Sequence, residues 1–123
     1  MFGILATLDA CLQKLMKHDL TVLINQIVNF VVSKVSPQRI VLFGSCARGE
    51  NTDDSDIDIL VLMKNIGNER VITKQLYRGL LNEDIESPVD FIVADYDKYH
   101  LLKDRIGYIY RTIEHEGKII YDR

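Results

Sequence analysis

The chain has 123 residues, 47% of them apolar, and a formal net charge of -3. That length and apolar content suit one domain with a real core and leave little for long disordered tails. The acidic balance speaks against a general nucleic-acid-binding face, which needs a basic excess.

No run reaches the roughly 18 apolar residues that cross a bilayer, so a soluble protein with no membrane contact is expected. The opening residues, MFGILATLDACLQKLMK, have the look of a secretion signal. The likeness fails because no basic residue precedes the apolar run and Asp9 interrupts it. Cys11 and Cys46 make neither zinc-ligand spacing nor a disulfide framework, and a reduced, cytoplasmic setting is the simplest account.

Leu5, Leu8, Leu12, Leu15 and Met16 recur at helical spacing, as do Leu20, Leu23, Ile24, Ile27, Val28, Val31 and Val35. Two helices, or one bent helix, therefore fill the N-terminal third. Asp19 is a candidate cap for the second, and Ser36-Pro37 ends it, because the residue before proline is pushed out of the helical region. Arg39 to Phe43 reads as a short apolar strand and Gly44-Ser45 as the turn leaving it. Ala47 to Gly49 suggests a helical turn, and Glu50 to Ser55 a polar loop. The run Ile57 to Met63 is a second strand, apolar on both faces beyond its acidic start.

After a turn at Asn65 to Asn68, helical periodicity resumes over Glu69 to Leu81. Pro88 to Val93 forms a third strand, and Asp95 is placed to cap a last helical region. There Leu102, Ile106, Ile109 and Ile113 are expected to share one buried face, closed by Gly117. Lys118 to Tyr121 could add a terminal strand. The pattern predicts one α/β (α+β) domain over residues 1–123, a small mixed β-sheet flanked by helices, with residues 1–20 as an extra N-terminal helix.

Asp56 and Asp58 lie two apart on a strand, so their side chains share a face roughly 6.5 Å apart. Asp90 begins another strand, and three carboxylates converge if the two strands are neighbours. Two carboxylates ~5 Å apart repel by roughly 3 kcal/mol at an effective dielectric of about 20, so such a trio calls for a cation or a retained proton. Oxygen donors with room for water and phosphate favour Mg²⁺ or Mn²⁺. The plainer alternative is a solvated acidic loop of Asp53, Asp54, Asp56 and Asp58. Asp58 sits poorly with it, since an aspartate between Ile57 and Ile59 in so apolar a run needs a partner.

Gly44 permits the close backbone approach that a phosphate requires, and the Ser45 hydroxyl with nearby amides could hold phosphate oxygens. An ordinary turn reads the same way. Arg48 could pair with a triphosphate through its planar fork or simply rest near Glu50 on the surface. His18, His100 and His115 lack metal-ligand spacing. Packing is the expected role of Tyr96, Tyr99, Tyr108 and Tyr110, which lie in a helical setting.

Taken together, Gly44-Ser45, ten intervening residues, Asp56-x-Asp58 and Asp90 in a later Val-Asp-Phe strand resemble the DNA polymerase β-like nucleotidyltransferase superfamily. Within it, the Ala47-Arg48-Gly49 and Ser55-Asp56-Ile57-Asp58 segments look like the minimal nucleotidyltransferases, the MNT antitoxins paired with HEPN toxins. The resemblance runs from about Ser36 to Tyr121 and takes in the closing Glu116-Gly117-Lys118-Ile119-Ile120-Tyr121 segment. It implies a polymerase-palm-like fold, metal binding by Asp56 and Asp58, and Asp90 as the third carboxylate at the metals, readying the acceptor hydroxyl. It further implies that Ser45 contacts the triphosphate, with Gly44 and Arg48 beside it as the other nucleotide-binding candidates, and that AMP passes from ATP to a tyrosine of a HEPN-domain toxin.

Cys46 departs from the family pattern, which often has a larger polar or basic residue there. No separate substrate domain is expected beside the core, and the acceptor is then expected to be held in a surface groove or brought by a partner. Two other functions stay open: adenylylation of a small hydroxylated molecule such as an aminoglycoside, and neutralisation of a partner by binding alone.

Overall fold

The structure is a computed structural model and describes residues 17–52 and 54–123. The expected helix over residues 1–20 therefore lies almost wholly outside the described residues, as do Cys11 and the signal-like segment.

Helix α1 spans Lys17–Lys34 and is followed by β1, Arg39–Phe43. Asp19, expected to cap this helix, falls inside the described span of α1. A five-residue helix α2, Gly44–Arg48, follows β1 directly. The expected Gly44-Ser45 turn is thus the first turn of a helix, and Gly49, at φ 74°, is its left-handed terminator. Next come β2, Ile57–Met63, and α3, Glu69–Leu80, where the Asn68 side chain accepts the Arg70 amide proton. Strand β3 covers Val89–Asp95. Helices α4, Tyr96–Leu102, and α5, Ile109–Glu116, and strand β4, Lys118–Asp122, complete the domain.

The four strands form one sheet in the order β3-β2-β1-β4. Strand β1 is antiparallel to β2 and to β4, whereas β2 and β3 run parallel. The parallel pair follows from the α3 crossover, since two strands pointing the same way need a connection long enough to return the chain.

Alternation along the strands divides the core in two. Ile40, Leu42, Ile57, Ile59, Val61, Val89, Phe91 and Val93 face α1 and α3, meeting Ile27, Phe30, Val31 and Leu76. The two helices touch at Gly79, where an added β-carbon would stand 3.0 Å from the Phe30 ring. On the opposite face Val41, Leu60, Leu62 and Ala94 pack under Tyr99 of α4 and Ile113 of α5. At the β3 edge, the outward amide of Phe91 donates to the Tyr77 hydroxyl at 2.9 Å.

The last helical region differs from expectation. Asp95 caps α4 by accepting the Lys98 amide at 2.9 Å, but the helix stops at Leu102 and a second begins at Ile109. Gly107, at φ 94°, turns the chain between them. Because the helical register is broken there, the expected apolar face does not form: Ile113 is buried, while Ile106 is 83% and Ile109 50% exposed. Gly117 is extended, not left-handed. Its requirement is space, since a β-carbon would stand 2.5 Å from the Ile113 carbonyl oxygen and 2.7 Å from Val41 Cγ1.

Candidate active site

The end of β1 and the starts of β2, β3 and β4 meet at one edge of the sheet. In the parallel register Asp58 stands opposite Asp90, between the pairs Ile57–Val89 and Ile59–Phe91. Adjacent strands are about 4.8 Å apart, so these two aspartates are neighbours on one face of the sheet. It is the face that α4 and α5 cover farther along, over Leu60, Leu62 and Ala94. At the strand starts that cover is missing: Asp58 is half-buried, and Asp56 and Asp90 are exposed. The strands carrying Asp58 and Asp90 are therefore neighbours, whereas Asp56, expected on the same strand as Asp58, lies just before β2 begins at Ile57.

Asp58 also meets α2. Strand register puts Phe43 opposite Asp58, and the next residue, Gly44, has φ 75° with its α-carbon against the Asp58 carboxylate. A β-carbon on Gly44 would overlap Asp58 Oδ2. Both the positive φ and the missing side chain are thus needed at this one position.

Burial, then the charges of Asp90 and Asp56, push the Asp58 carboxyl above its ordinary value, and Arg48 opposes them. Asp58 therefore senses both other carboxylates, as expected of a group that a nearby cation would favour in its charged form. Among the described residues, no three Asp, Glu, His or Cys side chains enclose an ion on their own. Mg²⁺ usually takes one or two carboxylates and completes its shell with water and substrate phosphates. The charge and oxygen donors of Asp56, Asp58 and Asp90 are of the type a hard divalent cation takes.

Helix α2 faces the same edge. Its N-cap residue is Phe43, which offers no side-chain acceptor, so the first amides of α2 have no capping side chain. Ser45 is half-buried within this turn. Cys46 is buried, and its thiol donates to the Asp56 backbone carbonyl at 3.4 Å, tying α2 to the entry of β2. Burial, then the Asp58 charge, push that thiol's pKa up and keep it protonated as a donor. The polar loop is closed by Thr52 and Ser55, with the Thr52 amide donating to Ser55 Oγ at 2.8 Å.

Arg48 lies at the end of α2 and is held by two carboxylates: Nε to Glu50 at 2.8 Å and a terminal nitrogen to Glu116 at 3.1 Å. Glu116, the last residue of α5, was not a candidate from sequence. The only sequence signal was its place in the closing Glu116-Gly117 segment. The cysteine's role in fixing Asp56 had no signal at all, because an unpaired buried thiol resembles any small core residue.

The tyrosines pack as expected in part. Tyr99 is buried, and its hydroxyl donates to Glu114 at 2.6 Å, while Tyr108 is 47% exposed. Tyr96 has the Arg39 and Lys64 cations 5.5 and 5.2 Å from its ring centre. No described helix is long and apolar enough to cross a membrane.

Known proteins share this arrangement of elements. Residues 24–120 match the family described as nucleotidyltransferase domain. A Methanocaldococcus jannaschii protein named "Putative protein adenylyltransferase" is 33% identical over 106 residues, covering 80% of this chain and 94% of that protein. The crystal structure of a "putative nucleotidyltransferase" from Sulfolobus solfataricus superimposes with a TM-score of 0.56 at 31% identity, covering 82% of this chain and 78% of that one. A toxin–antitoxin crystal structure with AMP-PNP gives a TM-score of 0.52 at 25% identity, over 81% of this chain and 73% of that one.

Proposed function

The chain belongs to the nucleotidyltransferase domain family, and on that premise we propose that it is an antitoxin that transfers AMP from ATP to a tyrosine hydroxyl of a cognate HEPN-domain toxin. The observation that carries this reading is the pairing of Asp58 with Asp90 on the parallel strands, with Gly44 pressed against Asp58. The likeness to a toxin–antitoxin structure with AMP-PNP supports a toxin as partner and an adenine nucleotide as substrate.

In this reading Asp56, Asp58 and Asp90 would hold the divalent cation. A bound cation there supplies the positive charge that offsets the triphosphate and makes the acceptor hydroxyl more acidic. The uncapped amides at Gly44 and Ser45 and the Ser45 hydroxyl take phosphate oxygens, and Arg48 adds its guanidinium. Asp90 orients the acceptor hydroxyl and takes its proton as the oxygen attacks the α-phosphorus. The bond from that phosphorus to the oxygen leading to the β-phosphate breaks in line, and pyrophosphate leaves. The exposure of Asp56 and Asp90 suits an acceptor carried on a protruding protein segment, one that needs no enclosing pocket.

Purified chain, ATP and Mg²⁺ should add the mass of AMP to a coexpressed HEPN partner, and Asp56→Ala or Asp58→Ala should stop it. A partner left unmodified yet still neutralised by the double variant would leave neutralisation by binding alone.

A further inference from the structure

We infer that Cys46 is a positioning residue for the cation: acting through the backbone of Asp56, it sets how readily Asp56 and Asp58 take a divalent ion together. This inference rests on the metal-binding reading of the two aspartates given above and deepens it.

The two aspartates are placed by different means. Asp58 is held by the strand ladders on both sides of β2, opposite Phe43 and Asp90. Asp56 lies between the polar loop and β2, which begins at Ile57, so no ladder places it. Its backbone carbonyl instead accepts the Cys46 thiol at 3.4 Å. The Asp56 carbonyl, the Ile57 amide and the Asp56 α-carbon belong to one rigid peptide plane. At its other end the Ile57 amide donates to the Pro88 carbonyl at 2.9 Å, just ahead of β3. The plane is thus held from two sides, by α2 through Cys46 and by the entry to β3 through Pro88.

The Asp56 carboxylate itself is exposed and free to turn about its side-chain bonds. What the two hydrogen bonds fix is the α-carbon from which it turns, and a side chain with a single methylene has little reach to make up for a displaced one. Helix α2 therefore meets both acids: Gly44 lies against the Asp58 carboxylate, and Cys46, two residues on, holds the Asp56 main chain. Cys46 is 5% exposed, which keeps water from replacing the thiol at that carbonyl.

A thiol is a weak donor and here acts behind the ligand, so the expected effect is a loss of cation affinity of about three- to tenfold, short of abolition. The measurement is titration of the full chain with Mn²⁺ alone, followed by the electron paramagnetic resonance signal of the free ion. Wild type, Cys46→Ala, Cys46→Ser, Asp56→Asn and the Asp56→Asn, Cys46→Ala double variant are compared, with thermal melts in chelator to check that each is folded. Alanine and serine differ by one hydroxyl donor. Cys46→Ala should bind Mn²⁺ about three- to tenfold more weakly than wild type, with Cys46→Ser between the two and closer to wild type. In the Asp56→Asn background Cys46→Ala should cost nothing more. Equal affinities for wild type and Cys46→Ala overturn the inference. Equal losses in the alanine and serine variants also overturn it, because packing would then be the cause, and so does an undiminished loss in the Asp56→Asn background. A wild-type chain that takes up no Mn²⁺ would instead remove the metal reading on which the inference rests.

Discussion

The α-carbon of Gly44 occupies the space beside the Asp58 carboxylate, so the first turn of α2 and the acidic start of β2 are packed as one unit. The coupling is steric and local, and it is separable from the backbone requirement. Gly49 shares the positive φ, yet a β-carbon added there would meet nothing within 4 Å.

Gly44→Ala and Gly49→Ala should therefore diverge. Each forces a β-carbon into a left-handed φ at a cost of about 1–2 kcal/mol, visible as a lowered melting temperature. Only Gly44→Ala also drives against Asp58, so it alone should lose transferase activity by an order of magnitude or more. Equal activities for the two variants would contradict the assigned coupling.

Asp58→Asn should remove activity yet raise the melting temperature of the metal-free protein at pH 7. Burial, then Asp90 and Asp56, raise the Asp58 carboxyl above its ordinary 3.8. The folded state then holds its proton more tightly than the unfolded state, and stability falls as pH rises through the window above 3.8. The asparagine variant is spared that loss, and its advantage should vanish as pH approaches 3.8. Thermal melts in chelator across this range test the sign.

Divalent cation should reverse the same penalty in the wild type. Melting temperature should rise with Mg²⁺ or Mn²⁺, and further with AMP-PNP, since a ligand at 100 times its dissociation constant adds about 2.7 kcal/mol. Asp58→Asn should show much less of the cation-dependent rise.

Tyr99→Phe tests the same face of the sheet farther along, where α4 and α5 cover it. The Tyr99 hydroxyl bond, then Lys103, hold the Glu114 carboxyl below its ordinary 4.5. That contribution is present above pH 4.5 and is lost as pH falls through the depressed value. Removing the hydroxyl should cost about 1 kcal/mol at pH 7 and flatten the acid-side loss of stability, without changing the nucleotide dissociation constant.

Much of the fold was legible from the chain itself. Strand β1 at Arg39–Phe43 and β2 at Ile57–Met63 follow from short apolar runs between turn residues, and Pro37 and Asp95 act where their chemistry places them. The pairing of Asp58 with Asp90 rested on two strands being neighbours, and the α3 crossover brings that about. What stayed hidden depends on tertiary context. Leu102, Ile106, Ile109 and Ile113 keep helical spacing across Gly107, and periodicity does not register the left-handed residue that divides them. The anchoring of Arg48 by Glu116 spans 68 residues, beyond any local pattern.

Strand β4 gives the sheet a protective role at its far side. It shields the flank of β1, whose Ile40-Val41-Leu42 core is fully apolar, and the Arg39–Asp122 ion pair joins residues 83 apart. A truncation before Lys118 would leave those amides and carbonyls free to template another chain. Aggregation, ahead of any loss of chemistry, is then the first failure expected of such a fragment.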